Sequence, residues 1–353
     1  MRKLPYFLLV VATVLPTTFL VAQTATLVDT TTLVKRTQFF DDERPVEISM
    51  VSNFRKLQSE KKRGVFQEAT VTLKLPDKEP VTEGIKLAAR GEFRRMECVM
   101  PSIMLDFKQP SAPRLNNLKK LKVVCGCSPS GYNEQLVFTE YLIYKMYNLF
   151  TDMSFKVRLA KLEFKDVNSR MKPYTQYGFL IEDVDEMAKR NGCREIEGAV
   201  YLTEYTNREQ MTIVALFQYM VGNTDWSVPN YHNVKLIRSR EDTLSLPYVV
   251  PYDFDFSGLV NANYAIPNPD LGIETVAERL YRGFPRTVDE LERTTELFKV
   301  RKAAVYDLVK NFTYIREKER GIMLKYLDEF YDVIQSRRNL DHYFIQGARR
   351  QAP

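Results

Sequence analysis

The chain has 353 residues, 51 of them Lys or Arg and 45 Asp or Glu, for a formal net charge of +6. A hydrophobic fraction of 44% and a charged fraction of 27% are those of a globular protein and exclude disordered and fibrous classes. The charge excess is too slight and dispersed to argue for nucleic-acid binding. With 14 glycines, Gly-rich repeats and a glycine phosphate loop are also disfavoured.

Arg2 and Lys3 precede an apolar run over 6–22 that is broken by Thr13, Pro16, Thr17 and Thr18. A short basic flank, an apolar stretch and small residues at its end predict a secretory signal peptide over 1–22, cleaved after Ala22 or, as second choice, Ala25. An uncleaved N-terminal anchor is the competing reading, but the run is short and interrupted for a membrane span. No other stretch is long and apolar enough to span a bilayer, so after cleavage no integral span is expected. The expected location is secreted, periplasmic or at the cell surface. Export permits disulfides. Cys125-Gly126-Cys127 is tightly spaced, so its members are expected to reach Cys98 and Cys193 rather than each other. With His232 and His342 the only histidines and no Cys-x-x-Cys, a zinc site is disfavoured.

The remaining chain divides into 23–180 and 181–353. Short runs with alternation or β-branched enrichment predict strands at 46–51, 66–75, 85–89, 102–107 and 121–124, an antiparallel sheet of four or five strands. An amphipathic helix follows at 134–150, then strands at 157–164 and 176–181. A helix at 208–221 is apolar on nearly every side, which implies burial, and strands at 234–237 and 248–250 come after it. Thr287 and Glu290 form a capping box that opens a helix to about 311, and a last helix covers 314–336. The expectation is an α+β chain with a β-rich N-terminal lobe, a helical C-terminal lobe and a junction near 180–210.

The polar residues that break this pattern most sharply lie between 222 and 258. The buried helix ends in Gly222-Asn223-Thr224-Asp225-Trp226, and Asn230, His232 and Asn233 lead into the next strand. The second short strand delivers Pro251-Tyr252-Asp253-Phe254-Asp255. Two loops that present carboxylate and amide oxygens beside short strands suit Mg²⁺, which prefers oxygen ligands, waters and phosphate. In outline this is a protein-kinase site, with a base on one loop, an Asn on metal, and an Asp on metal after a strand pair. Asp225 fits the base and Asp253 the metal Asp, with Asp255 assisting. Spacing picks Asn230 as the metal Asn, whereas adjacency to the strand picks Asn233, the preferred choice. Arg90 is the best phosphate cation and Lys108 the next. Glu140, ahead of Glu134, is the helical acid that would orient a cation. Glu182 would sit near the adenine, close the metal site or cap a hinge. Arg94, Arg95, Lys119, Lys120 and Lys122 read as surface charge, Trp226 as packing, and His232 as binding phosphate or, the preferred reading, shaping its loop.

The segments 222–226, 232–236 and 251–255, with Arg90-Gly91 and Tyr177-Gly178-Phe179-Leu180-Ile181-Glu182, resemble the CotH family of spore-coat-type atypical protein kinases. The resemblance covers roughly 85–260; where the family has Arg-Gly-Asn-Ser, this chain has Arg90-Gly91-Glu92-Phe93. It implies a bilobal, atypical protein-kinase-like fold and a secreted kinase that moves the γ-phosphate of ATP, with Mg²⁺ or Mn²⁺, to Ser or Thr of an exported protein. Two other readings compete. One is a catalytically idle binding or assembly module, and the other a metal-dependent hydrolase using the same carboxylates; Asp225 paired with Asp253 or Asp255 would also suit metal-free glycosidic cleavage.

Overall fold

The computed structural model describes residues 39–349; the expected signal peptide lies outside the described residues. From Phe39 onward, alternation governs the first half. In β1 (Val46–Ser52) every second residue is buried, so Val46, Ile48 and Met50 share one face. The same alternation runs through β2 (Gln67–Lys74) and most of β3 (Val81–Arg90); β4 (Ser102–Asp106) follows, and β5 (Lys120–Cys125), β6 (Val157–Asp166) and β7 (Tyr174–Ile181) alternate over part of their length and are buried on both faces over the rest.

These strands close into a barrel in the order β1-β2-β3-β4-β5-β7-β6. All neighbours are antiparallel except the closing pair, where β1 lies parallel to β6 with Val46 opposite Ala160 and Ser52 opposite Asp166. Ile48, Met50, Val71, Ile85, Leu105, Leu121, Leu162 and Leu180 fill a core of this barrel.

Closure overturns the expected bilobal kinase-like fold. The β-rich part is a closed seven-stranded mixed barrel, not an open antiparallel sheet of four or five strands, and the whole is α+β with eight α-helices among the described residues. The physical reason is the parallel return of β6 beside β1. That contact joins segments more than a hundred residues apart, and periodicity within either segment carries no sign of it.

A second core forms where Val124, Val157, Leu159, Phe179 and Ile181 of β5, β6 and β7 meet the helices. They pack with α3 (Gly131–Asn148), α5 (Arg208–Val221), α6 (Val288–Asn311) and α7 (Glu317–Gln335). α5 is buried on almost every side, as its composition requires, and the Thr287–Glu290 capping box opens α6. Four short helices were not anticipated: α1 (Phe54–Ser59), α2 (Glu92–Glu97), α4 (Val184–Arg190) and α8 (Arg337–Leu340). Nor was β8 (Cys193–Ile196), which joins β9 (Val234–Ser239) and β10 (Tyr248–Pro251) in a sheet of order β10-β9-β8.

Cys98 and Cys127 form a disulfide, while Cys125 and Cys193 are free and buried. One member of the Cys125-Gly126-Cys127 pair therefore reaches Cys98, but the other does not reach Cys193, because Cys125 lies in the barrel core and Cys193 in the helical one. Among the described residues no helix is long and apolar enough to cross a membrane.

Candidate active site

The antiparallel β9–β10 pair sets the first part of the site. Val234 lies opposite Pro251, and the Tyr252 N–H donates to the Asn233 carbonyl at 3.0 Å. This fixes Asn233 and Asp253 at one end of the hairpin. Both have left-handed backbones, with φ of 53° and 62°, and Tyr231 nearby has 51°. Asn and Asp tolerate this region better than most residues, and such conformations gather where a site dictates the backbone.

The end of α5 sets the second part. Gly222 adopts φ 67° at the helix C-cap, and a Cβ there would run into the Tyr326 hydroxyl, so the turn requires glycine. The Asn223 side chain then accepts the Asp225 N–H at 3.0 Å. Arg282 steadies the loop by donating to the Thr224 and Trp226 carbonyls, with its guanidinium 5.3 Å from the ring centre of the buried Trp226. The Asp225 carboxylate meets His232 Nε2 at 2.8 Å through one oxygen. Its other oxygen accepts from Asn233 Nδ2 at 2.9 Å, and the Asp225 carbonyl accepts from the same nitrogen at 2.8 Å. Because the amide nitrogen of Asn233 is committed to Asp225, its amide oxygen is the end left to receive a ligand.

Beneath these loops lies a buried charge cluster. Arg94, on α2, bonds Asp255 at 3.0 Å, Glu140 of α3 at 3.2 Å and the Cys125 carbonyl at 2.8 Å. Tyr264 donates to Asp255 at 3.2 Å, and the Tyr144 hydroxyl accepts the Asp253 N–H at 2.8 Å. Burial works against the Arg94 charge, but Asp255, Tyr264 and Glu140 outweigh it and hold the guanidinium protonated. Burial, followed by the charge of Asp253, pushes Asp255 up to about 6. Burial also raises Glu140, against the pull of Arg94. One buried guanidinium thus faces more carboxylates than it can neutralise.

Asp225, Asn230, Asn233, Asp253, Asp255 and Arg90 all line a single cleft of about 420 Å³. Three other expected residues lie outside its lining. Lys108 is exposed, and its N–H donates to Asp106 at the far end of β4; the start of β4, Ser102, is what pairs with Arg90. Glu182 is bonded to Arg190 at 2.9 Å and to the Lys156 N–H at 3.0 Å, which ties β7 to α4 and places it in another cavity. Glu140 sits behind the cleft on Arg94.

Arg94 and Lys122, read from sequence as surface charge, are respectively buried and half-buried. Tyr144, Tyr264 and the bonded His232 are further site residues that sequence reasoning passed over or treated as shape. The only local signal was the Tyr spacing on α3, where Tyr144 follows Glu140 by one helical turn.

Among the described residues no three His, Cys, Asp or Glu side chains form a group that could hold a metal ion by themselves. The oxygens of Asp253, Asp255 and Asn233 nevertheless suit a hard cation that keeps water or phosphate ligands. No protein-family model matches this chain, and no curated protein matches it significantly.

Proposed function

We propose that the protein is a divalent-metal-dependent phosphotransferase that moves the γ-phosphoryl group of ATP to a Ser or Thr hydroxyl of another protein. The observation that carries this reading is the polarity of one cleft: Asp225, Asp253, Asp255 and Asn233 share it with Arg90, a cation with no ion-pair partner among the described residues. A ligand that satisfies both sides must be anionic and must also share a cation with carboxylates, which is the chemistry of a metal-bound polyphosphate.

Mg²⁺ or Mn²⁺, held by Asp253, Asp255 and the Asn233 amide oxygen, would supply charge neutralisation on the phosphate. Asp225 would accept the proton of the attacking hydroxyl, oriented by its bonds to His232 and Asn233. Arg94 and Glu140 would fix Asp255 from behind. The catalytic effect would be positioning and electrostatic stabilisation of an in-line transfer, with no covalent enzyme intermediate. The Cys98–Cys127 bridge supports an exported, oxidising setting.

Ligand that binds only the folded state raises its stability, by about 2.7 kcal/mol at a hundred times Kd. ATP with Mg²⁺ or Mn²⁺ should therefore raise the melting temperature, and Asp253→Asn should abolish the rise. No shift at millimolar ATP with either metal would reject the phosphotransferase and leave the cleft to a binding role.

A further inference from the structure

A second cation without an ion-pair partner among the described residues lies just behind the lining of the same cleft, against residues that form it. The side chain of Lys122, on β5, makes no hydrogen bond among the described residues; its ammonium lies 5.5 Å from the ring centre of Tyr252 and 5.9 Å from that of Phe155. Residues two apart on a strand share a face, and Val124, two positions on, lines the cleft. Across the ladder Lys122 pairs with Ile181, which lines it too, and Tyr252 is both a lining residue and the neighbour of Asp253.

Lys122 is poorly compensated. Burial, then Arg90 and Lys235, push its ammonium down to about 8, with only weaker attraction from Asp183 and Glu195. Lys235 itself is taken up by Glu195 at 2.6 Å. A half-buried ammonium held over two aromatic faces, close enough to Arg90 to be repelled by it, is stabilised by an anion that spans the two cations.

Resting on the phosphotransferase reading, we propose that Lys122 and Arg90 together form the anion-binding wall of the cleft and grip the polyphosphate chain of the donor nucleotide. Two cations from different strands, β3 and β5, fit an extended chain of phosphates better than a single carboxylate. The metal-ligating carboxylates of the same cleft require that chain to offer oxygens on its other side as well.

The test is calorimetric titration of the full chain with Mg²⁺-ATP, Mg²⁺-tripolyphosphate and adenosine, for the native protein, Lys122→Met, Lys122→Arg and Asp253→Asn. A charge-assisted hydrogen bond contributes ~1.5–3 kcal/mol, so Lys122→Met should weaken ATP and tripolyphosphate about 10- to 100-fold. Lys122→Arg should restore part of the loss, and adenosine affinity should not change. Melting curves check that each variant folds; if Lys122→Met does not, Lys122→Gln makes the same comparison. Undiminished tripolyphosphate and ATP binding by folded Lys122→Met, alongside lost binding by Asp253→Asn, would remove Lys122 from the site and leave the enzyme reading intact. Failure of the native protein to bind any polyphosphate would overturn both.

Discussion

Arg94 carries the one buried guanidinium on which both Glu140 and Asp255 depend. Removing one partner from a buried ion pair leaves an uncompensated charge and costs about 3–5 kcal/mol, far more than the net worth of the pair. Arg94→Met should therefore lower the unfolding free energy by about that amount in urea titrations. Adding Glu140→Leu to it should recover part of the loss; if the two losses simply add, the cluster is not coupled. In sequence Arg94 is indistinguishable from Arg95, its neighbour, whose side chain runs outward to the Gly91 and Lys62 carbonyls. Their different fates are set by which side of a one-and-a-half-turn helix meets α3, a tertiary fact. Asp225, Asn233, Asp253 and Asp255 were legible because carboxylates and amides at the ends of otherwise apolar elements stand out locally. Lys108 misled for the same reason: a strand end is visible in sequence, but which end faces the cleft is not.

The element that delivers Arg94 is short, and a helix of six residues has little stability of its own. Its C-cap is Cys98, and the disulfide to Cys127 ties it to the segment just after β5, beside the Cys125 carbonyl that Arg94 bonds. The bridge spans a sequence separation of 29, for which loop-closure entropy gives about 3–4 kcal/mol. Cys98→Ser should cost about that much and should weaken the Mg²⁺-ATP binding proposed for the cleft, since α2 positions both Arg94 and the cleft-lining Phe93. Equal midpoints for oxidised and reduced protein in denaturant titrations would show that the helix holds without its tether. Cys125 is a poor competitor for the bridge, because burial pushes its thiol up to about 12. Most strands and the long helices could be read from alternation and amphipathic spacing. The helices α1, α2, α4 and α8, like the strand β8, are four to seven residues long and too short for either period to show.

At the scale of the molecule, β5, β6 and β7 face two cores at once. Leu121, Leu162 and Leu180 belong to the barrel interior, whereas Val124, Leu159 and Phe179 of the same strands belong to the helical core. Neither core can open without stripping the other of one wall. Thermal unfolding should accordingly be a single calorimetric transition with equal calorimetric and van't Hoff enthalpies; two resolved peaks would mean that the cores melt independently.

The parallel β1–β6 seam gives the fold a direction in time. As the chain leaves the ribosome, β1 can pair with β2 at once, but its other edge has no partner until Asp166 has emerged. Throughout that interval Val46, Ile48 and Met50 lie on a strand with an open edge, the arrangement most prone to pairing with another chain. The seam also places this protein among topologies dominated by distant contacts, which fold slowly. Newly made protein should thus be most vulnerable to aggregation while the chain is between its first and sixth strands, and a chaperone that shields this stretch would act at the step where the barrel is still unsealed.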